Sequence, residues 1–130
     1  MGDLVGEEFP LRLLEEQRQF LAKPSIRERG IQRWGLWLDE KLIGIAEVVG
    51  RPPLVWIARI AIDAEYQRCG YGKKLLNAVI EALRRSARTR EVRAAVHVKN
   101  TTARSFFEKA GFRPLADQDA TGELVYTLFL

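Results

Sequence analysis

The sequence has few of the residues that carry disulfide, redox and metal chemistry. Its 130 residues include one cysteine, Cys69, and one histidine, His97. A single cysteine excludes an internal disulfide. No apolar run reaches the roughly 20 residues that cross a bilayer. Residues 1–8 are acidic overall and lack the basic-then-apolar order of a signal peptide. With 47% hydrophobic and 29% charged residues, the chain is expected to be one cytoplasmic domain over residues 1–130, without a membrane partner or a metal site.

A glycine turn stands near the centre of the chain. An apolar run over residues 54–62 leads to Gly70 and Gly72, and a helical pattern begins directly behind them. A helix N-terminus offers unpaired N–H groups and a positive dipole end, and glycines let a phosphate approach the backbone. The turn is not a P-loop, because G-x-x-x-x-G-K-[ST] is missing, and it lacks the third glycine of a dinucleotide fingerprint. The pattern predicts another kind of phosphate or pyrophosphate site.

Positive charge is concentrated next to this turn. The net charge is +4, and basic residues outnumber acidic ones between residues 67 and 93. Such a sector suits a phosphorylated cofactor or a nucleic acid. The alternative is a solvated helix face whose basic last turn complements the helix dipole. Because the sequence has neither an interleaved aromatic and basic surface nor a helix-turn-helix pattern, no nucleic-acid partner is expected.

Hydrophobic periodicity predicts the elements in front of the turn. Residues 9–23 carry an amphipathic helical pattern that ends at Pro24, and residues 25–32 form a polar connection. Residues 34–38 and 42–49 predict a β-hairpin with a tight turn between them. Residues 54–62 then predict a third antiparallel strand.

Behind the turn, the pattern predicts a β-turn-α-β unit. The helix presents one apolar face to the core, made by Leu75, Leu76, Val79, Ile80 and Leu83. Residues 91–98 follow as a strand parallel to residues 54–62, through a right-handed crossover. Thr101 or Thr102 is expected to cap a helix over residues 103–110, which closes at Gly111 with Phe112 folded onto Phe107. A short strand over residues 113–116, a loop over residues 117–122 and a final strand over residues 123–130 complete the chain.

Two motifs together resemble those of the GNAT superfamily of N-acetyltransferases. Gln67-x-x-Gly70-x-Gly72 is similar to the family's Q/R-x-x-G-x-G/A signature. The run from Asn100 to Phe112 resembles its second landmark, and the likeness covers residues 34–130. Residues 60–76 look particularly similar to bacterial ribosomal-protein alanine N-acetyltransferases. The resemblance implies an α/β (α+β) fold: a mixed, mostly antiparallel sheet flanked by helices, with a V-shaped split between two parallel central strands.

The resemblance also implies that acetyl-CoA lies in the split as acyl-donor cosubstrate. Backbone groups of Ile60, Ala61 and Ile62 would pair with the pantetheine arm and the acetyl carbonyl. The turn would hold the pyrophosphate through the N–H groups of Arg68, Cys69, Gly70, Tyr71, Gly72 and Lys73. Gln67, Asn100, Ala103 and Phe107 complete the implied cofactor-binding set, with Asn100 on the far side and Phe107 near the thioester. Arg104 and Lys109 are candidates for the 3′-phosphate.

The implied reaction is acetyl transfer to a primary amine of a small molecule, peptide or protein, but expected catalytic residues are replaced. The chain has Ala95 and Trp56 where similar proteins carry glutamate bases, and Phe107 where they carry a tyrosine acid. Glu47, inside an apolar strand, and His97, near the cleft, are the catalytic candidates. The alternatives are that Glu47 faces solvent and that His97 is structural. A non-catalytic acyl-CoA-binding module is the alternative to an enzyme.

The resemblance further implies a strand before the first helix, and only Leu4 and Val5 offer one. Either this strand is very short or missing, or a partner chain covers the exposed edge, so a homodimer is a further expectation. The acceptor is not readable, because the residues that select it lie in the N-terminal third.

Overall fold

The computed structural model describes residues 11–13, 30–115 and 122–130. These residues form one mixed sheet and two α-helices. The strands are β1 (Leu11–Leu13), β2 (Ile31–Leu38), β3 (Lys41–Arg51), β4 (Leu54–Ile62), β5 (Glu91–His97), β6 (Arg113–Pro114) and β7 (Glu123–Phe129). The helices are α1 (Tyr71–Ser86) and α2 (Thr101–Lys109), and a 3-10 turn over Ala64–Tyr66 precedes α1. The strand order β1-β2-β3-β4-β5-β7-β6 confirms the predicted fold class.

The predicted antiparallel ladder of β2, β3 and β4 is confirmed. Asp39 and Glu40 form the tight turn between β2 and β3, with φ angles of 49° and 67°. Two positive φ angles are typical of the hairpin turn whose twist matches that of the flanking strands. The hairpin is longer than predicted because β2 begins at Ile31, inside the expected polar connection, and β3 continues to Arg51.

The helix predicted over residues 9–23 is wrong at Leu11–Leu13, which forms β1. This short strand pairs antiparallel with β2, and Leu11 lies opposite Leu36. Strand pairing with a distant segment overrides the local helical period here. The rest of the predicted helix, the Leu4-Val5 segment and the predicted loop up to residue 121 lie outside the described residues.

One face of the sheet carries the core, and α1 packs on it. The five apolar residues predicted to face the core from α1 are all buried. They pack with buried residues of the central strands, including Val48, Val55, Val92 and Val96. Strand β5 follows α1 and pairs parallel with β4, so the predicted β-turn-α-β unit is confirmed.

The N-cap of α2 lies one or two residues before the expected cap. Asn100 is its N-cap, because its side-chain oxygen accepts a hydrogen bond from the N–H of Ala103 at 3.0 Å. The prediction of Thr101 or Thr102 as cap is therefore wrong, although all three are good capping residues. The predicted end is confirmed: Gly111 has φ 99°, and the N–H of Phe112 donates to the carbonyl of Phe107 at 3.0 Å.

Candidate functional site

The glycine turn opens α1 with its backbone exposed. Gly70 is the N-cap with φ 84°, and Arg68 also has a positive φ of 65°. No side chain caps the helix at Gly70, and its first ladder bond runs from the N–H of Lys74 to the carbonyl of Gly70 at 3.1 Å. Helix geometry leaves the N–H groups of Gly72 and Lys73 without an acceptor inside α1. The turn therefore has the donors and the dipole that bind an anion.

Gln67 anchors the turn to the end of β4. Its Nε2 donates a hydrogen bond to the carbonyl oxygen of Ile62 at 2.9 Å. The exposed Cys69 donates from Sγ to the carbonyl of Gln67 at 3.4 Å. These contacts join the last residue of the strand to the loop that opens the helix, and they give the glutamine of the motif a structural role.

The sheet splits beside this turn, between β4 and β5. The two strands pair only at Leu54, Val55 and Trp56, opposite residues 91–93. Beyond Trp56, β4 stays paired with β3 and β5 with β7, so each keeps an edge without a strand partner in the described sheet. The V-shaped opening runs from there to the glycine turn, as expected. An extended, amide-bearing chain pairs well with such edges.

A β-bulge in β4 marks the closed end of the split. Arg59 pairs with Glu47 and Ile57 with Val48, so Ala58 is the extra residue. A bulge redirects backbone groups and twists the strand locally. This feature was missed, yet the sequence carries its signal: the alternation of Val55 and Ile57 changes phase before Ile60.

A cleft of about 520 Å³ lies between the two helices. Its walls come from the first turns of α1 and one side of α2, namely Lys73, Leu76, Thr101, Thr102, Ser105, Phe106, Lys109 and Ala110. A Cβ on Gly72 would lie 3.4 Å from the ring of Phe106, so glycine sets a close approach of the helices. Phe107 lies behind this wall in the core, edge-on to both Phe106 and Phe112.

The guanidinium of Arg104, a candidate for the 3′-phosphate, forms hydrogen bonds within the protein. Arg104 donates from Nε to the hydroxyl of Tyr126 at 3.1 Å and from NH1 to the carbonyl of Val98 at 3.0 Å. The hydroxyl of Tyr126 donates to Glu108 at 2.6 Å. The bond to Tyr126 raises the pKa of Arg104 above its ordinary value. Arg104 thus ties α2 to the end of β5, and Lys109 lines the cleft.

The two catalytic candidates lie on the sheet face opposite the core. Glu47 is half-buried and accepts a hydrogen bond from Nε of Arg33 at 2.8 Å. His97 is exposed at the end of β5, and its Nδ1 accepts the backbone N–H of Lys99 at 3.1 Å. An accepted N–H at Nδ1 leaves Nε2 to carry the proton of the neutral ring. In this tautomer, Nε2 of His97 is a hydrogen-bond donor. The carboxylate of Glu47 is a hydrogen-bond acceptor.

A second cavity, of about 880 Å³, lies at the other end of the sheet, near the C-terminus of α1. It is distant from the glycine turn and lined in part by Trp34, Ser86 and Thr89.

In the described part of the chain, histidine, cysteine and carboxylate side chains form no group that could hold a metal ion. Neither described helix is long and apolar enough to cross a membrane.

Comparison with known proteins decides the family. The model of the acetyltransferase (GNAT) family matches residues 3–112. The chain belongs to this family. The spermine/spermidine N(1)-acetyltransferase of Bacillus subtilis strain 168 is 28% identical over 99 residues, which cover 70% of this chain and 65% of that protein. This GNAT chain therefore matches less than two thirds of the relative's length.

Solved structures show the same GNAT fold. The PaiA N-acetyltransferase of Thermoplasma acidophilum, in complex with coenzyme A, has a TM-score of 0.70 and 25% identity, over 82% of this chain and 65% of that one. The ribosomal-protein-S18-alanine N-acetyltransferase of Escherichia coli has a TM-score of 0.72 and 19% identity, over 93% of both chains.

Proposed function

We propose that this chain is an N-acetyltransferase that takes an acetyl group from acetyl-CoA and transfers it to a primary amine. The observation that carries the proposal is the position of the glycine turn at the open end of the β4–β5 split. The turn binds an anion, and the split offers two strand edges to an extended arm. Coenzyme A has its groups in the matching order, a pyrophosphate followed by an extended arm that carries amide groups.

The described residues fit this cosubstrate. Space is open around Gly70, where an added Cβ would meet nothing within 4 Å. The N–H groups of residues 68–73 would hold the pyrophosphate, with Gln67 fixing the turn. The backbone groups of Ile60 and the N–H of Ile62, on the edge that faces β5, would pair with the arm. The backbone groups of Ala61 face β3 instead, because Asp63, two residues further on, donates its N–H to the carbonyl of Ile43 on β3 at 2.8 Å. The amide group of Asn100 and the helix face that starts at Ala103 would close the far side, with Phe107 supporting that wall.

Bound acetyl-CoA supplies a thioester, whose C–S bond is exchanged for a C–N bond to the amine. One proton leaves the amine, and one proton reaches the thiolate of CoA. Glu47 would take the amine proton, directly or through a water, because it lies in register with the bulge and is a hydrogen-bond acceptor. A backbone N–H of β4 near Ala58 would stabilise the negative charge on the acetyl oxygen. His97, with its proton on Nε2, would remain structural.

The name of the Bacillus subtilis relative suggests a polyamine as acceptor. The resemblance of residues 60–76 to ribosomal-protein alanine N-acetyltransferases suggests an alanine of a ribosomal protein. The main alternative to an enzyme is a non-catalytic acyl-CoA-binding module, which is favoured by Ala95 and Phe107 in places where similar proteins carry acid–base residues. Both hypotheses require CoA binding, and only one requires an acceptor.

Thermal unfolding with CoA and with acetyl-CoA tests the binding. A ligand at about 100 times its Kd adds about 2.7 kcal/mol to the free energy of unfolding, which is easily measured. No stabilisation by either compound would contradict the cosubstrate assignment. Release of CoA thiol in the presence of a panel of amines and peptides then tests the enzyme. Binding without acceptor-dependent release would favour the acyl-CoA-binding module.

A further inference from the structure

The closed end of the split determines where an acyl group can react, if the proposed function holds. An arm that enters beside the glycine turn cannot pass Trp56 and Arg93, because the two strands are paired there. Its end therefore lies near the bulge at Ala58 on one side and near Ala94 and Ala95 on the other. Side chains next to these positions, on the sheet face opposite the core, are the ones that an acceptor would meet.

Among the residues that the structure describes, three arginines and two carboxylates lie on this face of the sheet near the closed end. Glu47 is bonded to Arg33 at 2.8 Å, and Glu91 is bonded to Arg93 at 2.6 Å. Arg59 lies opposite Glu47 in the strand register and directly follows the bulge. It is exposed, and it forms no ion pair with any residue of the described part of the chain. Within the described part of the chain, the positive charge of Arg59 therefore has no carboxylate partner beside the closed end of the split.

The opposite wall of the split carries only a small side chain at this level. Ala95 alternates along β5 with the buried Ala94 and Val96, so it lies on the same face as Arg93 and His97. It is exposed and contributes only a methyl group. Strand β5 thus contributes no carboxylate at position 95.

We infer that the acceptor of this chain carries a carboxylate next to its amine, and that Arg59 binds this carboxylate. The guanidinium offers parallel donors that match a carboxylate in geometry and charge. The acceptor is thus an amino acid or a related aminocarboxylate. A polyamine would place a second ammonium group next to Arg59, where the like charges repel. The inference rests on the proposed function and differs from the activity that the name of the Bacillus subtilis relative describes.

Matched acceptor pairs test the inference. Free amino acids are compared with the amines that lack only the carboxyl group, so that leucine is paired with 3-methylbutylamine and lysine with 1,5-diaminopentane. Spermidine is included as the polyamine. We expect kcat/KM for the best amino acid to exceed that of its decarboxylated partner and of spermidine by at least about tenfold, as expected for a charge-assisted bidentate contact.

Variants then assign the preference to Arg59. In Arg59→Ala the preference should fall to less than about twofold, with acetyl-CoA binding unchanged, and Arg59→Lys should restore part of it. Arg85→Ala, an exposed arginine near the end of α1, is the matched control and should keep the full preference. Faster turnover of decarboxylated amines or of spermidine would overturn the inference and leave the proposed function intact. Acetyl-CoA binding without turnover of any acceptor would overturn the inference and would also replace the enzyme by the acyl-CoA-binding module. A failure to bind acetyl-CoA would refute the cosubstrate assignment itself.

Discussion

The side-chain amide of Gln67 donates a hydrogen bond to the carbonyl oxygen of Ile62, at 2.9 Å. This bond holds the glycine turn against the end of β4, so the anion site and the split strand edge keep a constant separation. Gln67→Ala should raise the Kd for CoA by up to about tenfold, the effect of one hydrogen bond. Titration calorimetry measures the change. Gln67→Arg keeps a donor at this position and should bind within about twofold of the parent, so equal losses in both variants would contradict the role of the bond.

The left-handed backbone at Gly70 gives a second prediction. A non-glycine residue at φ 84° is strained, so Gly70→Ala should lower the free energy of unfolding by about 1–2 kcal/mol and weaken CoA binding. Gly70→Asn should lose less of both, because asparagine tolerates this conformation. Chemical denaturation and calorimetry of the two variants provide the measurement. If alanine and asparagine behave alike, backbone strain is not the cause.

Proton transfer is tested by comparing Glu47 with His97. Glu47→Gln keeps a hydrogen-bond acceptor for Arg33 but cannot take a proton, and kcat/KM should fall about 100-fold, the lower end of general-base effects. His97→Ala removes a ring whose Nδ1 already accepts the N–H of Lys99, and kcat should stay within about threefold of the parent. Rates across a pH series on the best acceptor decide between them. Full activity of Glu47→Gln at every pH would favour a water-relayed mechanism without this carboxylate.

Glu91 makes stability depend on pH. Hydrogen bonds from Arg93 at 2.6 Å and from Thr127 at 2.7 Å lower the pKa of Glu91 below its ordinary value of 4.5. A carboxyl with a lowered folded pKa stabilises the protein above its unfolded pKa, and this contribution is lost as the pH falls through the folded value. Glu91→Gln should therefore lower the free energy of unfolding by about 1 kcal/mol at neutral pH.

Denaturation of the parent and of Glu91→Gln at several pH values checks this prediction, and the difference should close in acid. Glu81→Gln is the control, because Glu81 forms an exposed pair with Arg84 one helical turn away. Its effect at neutral pH should not exceed about 0.5 kcal/mol. A Glu91→Gln difference that is the same at neutral and acid pH would show that charge is not the cause.

Local patterns were sufficient for most of the central fold. The bounds of β4 agree with the predicted strand over residues 54–62, since apolar residues at alternate positions and the flanking turns specify it. The core face of α1 and the close of α2 at Gly111 follow from helical period and from the conformational freedom of glycine. Each of these features depends on residues close together in the chain.

Some features that depend on distant pairing were not predicted. Leu11–Leu13 has a helical pattern and becomes a strand because it pairs with β2. The extra residue Ala58 is identified only when β4 is aligned with β3. Asn100 and the two threonines after it are all good caps, so the sequence could not choose among them. The partners of Arg104, on β7 and at the end of β5, are also remote in the chain.

Amide proton–nitrogen correlation spectra during a titration with acetyl-CoA test the central claim most directly, because they report on each backbone N–H. The proposed site predicts that the largest shifts occur at Gly70, Gly72 and Lys73 in the turn and at Ile60 and Ile62 of β4. Amides that line the cavity at the other end of the sheet, such as that of Thr89, should move little. Saturable binding that leaves the turn and β4 unperturbed, or that shifts mainly Thr89 and its neighbours, would contradict the claim.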